Sequence, residues 1–135
     1  MRVVLDTNVI VSAVMTTHGA CAQILDMLAD GVFAICADDR ILAEYDSVLH
    51  RANLGIVPAD AAIVLELLKT VAESISGVPL AADLPDPKDL PFLEVAAAAD
   101  AVLVTGNARH YPARRRLGVT VLTPREFLDL MRRSP

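Results

Sequence analysis

The side chains best suited to chemistry in this sequence are oxygen-bearing ones at the edges of aliphatic runs: Asp6, Glu44, Asp86, Asp89, Thr105 and Asn107. Asp6 closes the run Val3-Val4-Leu5. A carboxylate there must be solvated, hydrogen-bonded or bound to a cation. Capping of the next turn, which Thr7 and Asn8 favour, accounts for it equally well. Glu44 borders the apolar stripe of a helical segment, close to Ile41 and Val48, and Asp46 borders the other side. Periodicity does not choose between them, and a solvated helix position suits either. Asp86 and Asp89 share the loop Asp86-Pro87-Lys88-Asp89, where Asp89 can also serve as a helix N-cap. Thr105-Gly106-Asn107 follows another aliphatic run, as an ordinary strand-ending turn would.

Taken together these groups suit phosphodiester hydrolysis assisted by Mg²⁺ or Mn²⁺. Hard cations prefer oxygen ligands, and Mg²⁺ keeps several waters beside one or two carboxylates. A bound cation lowers the pKa of its water and stabilises charge on the phosphorane oxygens. Without one, clustered carboxylates repel each other. Arg109, His110, Arg114, Arg115 and Arg116 follow the acidic set, and beside a metal site they could hold RNA phosphates. A solvated basic turn is the commoner outcome for such a run. No Cys/His set has zinc spacing, no nucleophile–histidine pair is legible, and no phosphate-binding glycine loop is present.

The elements that must position these groups alternate between aliphatic runs and amphipathic segments, as in an α/β protein. Strands are expected at Arg2–Asp6, Val32–Cys36, Val78–Leu80 (weak), Ala101–Thr105 and Val119–Leu122. Helices are expected over Ala20–Ala29, from Asp38 or Asp39 to about Arg51, from Pro58 with Ile63, Val64, Leu67, Leu68 and Val71 inward, and over Leu90–Ala99. The segment from Gly106 to Gly118 reads as a loop with one basic helical turn. Thr123-Pro124-Arg125-Glu126 is a capping box that opens a last helix. In an open parallel sheet, sites form beyond the carboxyl ends of the strands, where Asp6, Thr105 and Asn107 all fall.

The chain has 135 residues, enough for one domain, residues 1–135, with a real core. Its 54% hydrophobic content excludes a disordered chain. With aromatics at 4% and no Trp, the core must be aliphatic, which suits a buried parallel sheet. The net charge of −5 counts against a protein that coats nucleic acid through a broad basic face, and not against an enzyme holding cations. Cys21 and Cys36 are too few for a disulfide framework and read as buried thiols. The Val9–Met15 run is too short to span a membrane, no secretory signal is legible, and a cytoplasmic location is expected.

Val-Leu-Asp-Thr-Asn, an acidic helix, Asp-Pro-x-Asp-x-x-Phe-Leu and Leu-Val-Thr-Gly-Asn occur here in one order. In that order the chain resembles the PIN-domain family along essentially its whole length, and looks closest to the bacterial branch related to the VapC toxins of toxin–antitoxin pairs. The resemblance implies a three-layer α/β/α fold around a parallel sheet of four to five strands. It makes Asp6, Glu44 and Asp89 the acidic catalytic set. Asp86 becomes an additional acid, Asn8 and Thr105 supporting polar groups, and Asn107 the position where many relatives carry a further Asp. Asp6, Asp86, Asp89 and Asn107 are then the expected metal-facing residues. The neutral Asn107 removes one negative charge from the pocket, so Asn107→Asp is expected to tighten Mn²⁺ or Mg²⁺ binding. Endoribonuclease activity, an antitoxin partner and a homodimer are implied as well.

Three other readings compete. A haloacid-dehalogenase-type phosphatase needs an Asp at position 8, which is Asn, and a lysine at the sheet edge, where Lys88 looks poorly placed. A receiver-like domain needs paired acids after the first strand and a lysine after the fifth; only Asp6 and Thr123-Pro124-Arg125 are there. A PIN domain that binds RNA or protein without cutting it is favoured by Asn107.

Overall fold

The structure is a computed structural model that describes residues 1–133; Ser134 and Pro135, included in the expected domain, lie outside the described residues. Five strands form one sheet: β1 (Arg2–Leu5), β2 (Ala34–Ala37), β3 (Glu73–Ser74), β4 (Val102–Val104) and β5 (Val121–Leu122). Six helices surround it: α1 (Thr7–Met15), α2 (Ala20–Ala29), α3 (Asp39–Leu49), α4 (Pro58–Val71), α5 (Leu90–Ala99) and α6 (Pro124–Arg133). Every strand pairing is parallel, in the order β3-β2-β1-β4-β5.

The central strand explains the aliphatic bias. Val3, Val4 and Leu5 are fully buried, with Val3–Leu5 registered against Val102–Val104 of β4. A strand covered on both faces must be apolar at successive positions. The chain steps one way through β1, β2 and β3, then returns past β1 to reach β4 and β5. Right-handed crossovers therefore put α1 to α4 on one face and α5 on the other, giving the expected three layers. α6 packs on α2, and its Phe127 meets Phe33, the residue before β2, edge-on at 5.3 Å between ring centroids. Cys21 and Cys36 are free and buried, as expected.

Several local expectations need correction. Residues Thr7–Met15, read as a turn and a short apolar run, form α1, whose first N–H is capped by Asp6. The third strand is Glu73–Ser74 and not Val78–Leu80; Val78 is exposed, and the Leu80 N–H instead donates to Glu94 Oε2 at 2.9 Å. The second strand lies two residues later at its start, at Ala34, leaving Val32 exposed. In α4, Ile63 and Val71 face solvent, and the inward stripe is Ala61, Leu65 and Leu68, with Val64 partly covered. The helix is apolar on more than one side, so its period fits either orientation, and packing decides.

Local signals hold elsewhere. Asp38 caps α3 through the Ile41 N–H at 3.0 Å. The predicted capping box opens α6: the Glu126 N–H donates to Thr123 Oγ1, and the Thr123 N–H to Glu126 Oε1. Arg40 Nη1 contacts the buried Glu94 at 2.7 Å, and Arg40 also pairs with Asp38, tying the start of α3 to α5. Among the described residues, no single helix is long and apolar enough to cross a membrane.

Candidate active site

The sheet reverses its winding between β1 and β4, and that switch point is where a doubly wound sheet opens a crevice. Asp6 and Thr105 stand at the ends of the two strands. The Thr105 hydroxyl donates to Asp6 Oδ2 at 2.9 Å, and the Tyr111 hydroxyl donates to the same oxygen at 3.0 Å. Asp6 Oδ1 accepts the Thr7 N–H at 2.8 Å. Capping and ligation, left open by the sequence, are thus compatible. A carboxylate has about four lone-pair sites, and these contacts use three of them. Asp6 is 4% exposed. Burial pushes its carboxyl above the usual range, although Thr105, Tyr111, Thr7 and His110 all pull the other way.

Around Asp6 lies an open cleft of about 620 Å³, lined among others by Asn8, Glu44, Asp86, Asp89 and His110. Glu44 arrives from α3 and accepts the Thr7 hydroxyl at 3.1 Å. Its rival Asp46 pairs instead with His50 on the exposed side of the helix. Asp86 caps the 3₁₀ turn Pro87–Asp89 through the Lys88 N–H at 3.0 Å. Asp89 occupies the N-cap position of α5, yet its side chain makes no cap hydrogen bond. It meets His110 instead, with 2.9 Å between Oδ2 and Nδ1. Asp89 is pushed up to about 6: burial does most of this and the Asp6 charge comes next, against the opposing His110 contact.

The remaining polar residues hold the frame. Asn8 Oδ1 accepts the Gly106 N–H at 2.8 Å, and its amide reaches Thr105 Oγ1 at 3.4 Å. A Cβ at Gly106 would lie 3.1 Å from Asn8 Oδ1, so that position is set by close approach. Asn107 does not line the cleft; its N–H donates to Thr105 Oγ1 and its amide faces His110 Nε2 at 2.9 Å.

The basic run divides. Arg115 pairs with Asp83, and Arg116 donates to the Tyr111 carbonyl, while Arg109 and Arg114 are exposed. The cations that line the cleft are Arg51 and Lys88. Sequence reasoning missed the first and judged the second poorly placed. It also missed Tyr111, a buried phenol in a loop with no periodic signal. Burial and the charges of Asp6 and Asp89 keep that phenol protonated, as a donor to Asp6 requires.

The donor set fits a hard divalent cation. It consists of carboxylate oxygens, and after burial the charges of Asp6 and Asp86 help to raise Asp89, a repulsion that a cation would relieve. Asp86, Asp89 and His110 each bring a potential ligand atom within 4.8 Å of the others.

No curated protein matches the chain. Among solved structures it is similar to a chain in the crystal structure of VapBC2 from Rickettsia felis bound to a DNA fragment from their promoter. The two share 20% identity at a TM-score of 0.61, over 91% of this chain and 98% of that one, which is a likeness of fold. The family model for the PIN domain matches residues 2–109, a span that takes in Asp6, Glu44, Asp89 and Thr105. With the parallel sheet and the acidic cleft at its switch point, that match places the chain in the PIN domain family.

Proposed function

We propose that this chain is a metal-dependent endoribonuclease of the cytoplasm, the toxin member of a toxin–antitoxin pair. The observation that carries the reading is the convergence of Asp6, Glu44, Asp86 and Asp89 on one cleft at the sheet's switch point. PIN domains are generally nucleases, which supports hydrolysis over mere binding. The antitoxin partner is proposed on the likeness to the VapBC2 structure.

Asp6 and Asp89 would hold Mg²⁺ or Mn²⁺, with Asp86 beside them. Such an ion supplies an activated water and stabilises the charge that develops on the phosphorane oxygens. Thr105, Tyr111 and the Thr7 N–H keep Asp6 turned into the cleft. Glu44, held by Thr7, adds a carboxylate on the α3 side. Arg51 and Lys88 can take RNA phosphates at the cleft, with the exposed Arg109 and Arg114 as further contacts. Asn107 leaves these acids in place, so a binding-only role is not needed to explain it. The chain is taken to work as a homodimer.

The test is Mn²⁺-dependent cleavage of structured RNA by the unaltered chain and by Asp6→Ala and Asp89→Ala. Cleavage lost in both variants and in EDTA supports the reading. Cleavage that survives both substitutions comes from another enzyme, and the proposal then fails.

A further inference from the structure

Asn107 and His110 raise a question that the acidic cluster leaves open. Asn107 stands where the resemblance expects another acid, and the family match ends at 109, one residue before His110. Both side chains are partly buried and bonded to each other.

The hydrogen bonds fix their roles. Asp89 Oδ2 is 2.9 Å from His110 Nδ1. An ionised carboxylate only accepts, so Nδ1 must carry the hydrogen. In a neutral imidazole Nε2 is then an acceptor, and the group facing it, 2.9 Å away, is the donating amide nitrogen of Asn107. Asn107 is in turn anchored by its own N–H on Thr105 Oγ1 at 3.0 Å, and the Thr105 hydroxyl donates to Asp6. Two hydrogen-bonded segments, joined through the backbone and side chain of Asn107, thus link the two central carboxylates: Asp6 and Thr105 on one side, His110 and Asp89 on the other.

We infer that His110 is a positioning residue for Asp89, held as its Nδ1–H tautomer by Asn107. The inference rests on the metal-dependent reading above only for its consequence, not for its geometry. Asn107 selects the tautomer, His110 presents Nδ1–H to one oxygen of Asp89, and the other oxygen stays free for a cation. His110 is a hydrogen-bond partner and not a ligand, because a cation between it and Asp89 would have to replace the Nδ1–H contact. Partners of this kind orient a ligating carboxylate, and their loss typically costs about 10–100-fold in metal affinity.

Two measurements test this. Nitrogen-15 NMR of the metal-free chain at about pH 8, above the ordinary histidine range, should show His110 protonated at Nδ1 and bare at Nε2. Asn107→Ala should turn that signal into a mixture of tautomers. A hydrogen on Nε2 alone, or on both nitrogens, overturns the inference. Calorimetry with MnCl₂ should show binding weakened about 10–100-fold in His110→Ala. It should be largely restored in His110→Asn, whose amide can donate from nearly the place of Nδ1–H. Equal weakening in both variants would make His110 a ligand and overturn its positioning role. Failure of the unaltered chain to bind Mn²⁺ would sink the nuclease reading, and the tautomer would still decide this one.

Discussion

Asp89 should make the metal-free protein less stable as the pH rises, the reverse of ordinary acid denaturation. Its carboxyl is pushed from 3.8 to about 6 by burial and by Asp6. The folded state therefore binds that proton more tightly than the unfolded chain. Between about pH 4 and 6 the folded protein carries more protons there, so its stability falls as pH climbs through the folded value. Roughly two units at 1.36 kcal/mol each set a ceiling of about 3 kcal/mol over the whole titration. Between pH 5 and 7 the same values give about 1.3 kcal/mol, and water at the cleft mouth reduces this to about 1 kcal/mol or less. Urea denaturation in EDTA at the two pH values measures it. Asp89→Asn, neutral throughout, should flatten the slope and be the more stable form at pH 7. Millimolar Mg²⁺ should stabilise the unaltered chain more at pH 7 than at pH 5, since binding needs the ionised form. A slope unchanged by Asp89→Asn would refute the reasoning.

Other substitutions probe the supporting frame. Tyr111→Phe removes a donor to a buried charged oxygen and should cost about 1.5–3 kcal/mol in urea denaturation, while moving the Asp6 carboxyl further up in an NMR titration. Gly106→Ala puts a methyl against Asn8 Oδ1 and should cost about 1 kcal/mol or less, read as a lower Tm, because Asn8 Oδ1 must draw back and weaken its bond to the N–H at position 106. Glu94→Ala leaves Arg40 with Asp38 alone and strands the Leu80 N–H, for about 1–3 kcal/mol of chemical stability. Glu94→Gln, which keeps an acceptor for Leu80, should cost less.

Strand ends and acids were legible because both carry strong sequence signals. A strand buried on two faces cannot hide its aliphatic run, and a carboxylate ending it is conspicuous. The first helix was invisible for the opposite reason. Val9, Ile10, Val11, Ala13, Val14 and Met15 are apolar with no polar face, so no helical period emerges, and the Asp6 cap looked like a turn. Glu73–Ser74 pairs with β2 through its backbone alone, which no side-chain pattern records. Glu44 and Asp46 could be separated only by which face of α3 meets α1. Tyr111 and Arg51 reach the site from a loop and from a helix terminus, where position follows from tertiary packing and not from spacing.

The Asp6 contacts also bear on how the protein is made. Thr105 and Tyr111, its two hydroxyl donors, lie 99 and 105 residues along the chain from it. During synthesis Asp6 emerges first and waits for both. A chain interrupted before Val102 owns Asp6, Glu44, Asp86 and Asp89 but neither the β4 edge that pairs with β1 nor the hydroxyls that aim Asp6. Closure of so long a loop comes late in folding. The cleft is thus complete only once β4, Thr105 and Tyr111 have been made, and a copy stalled before them carries the acids without the site.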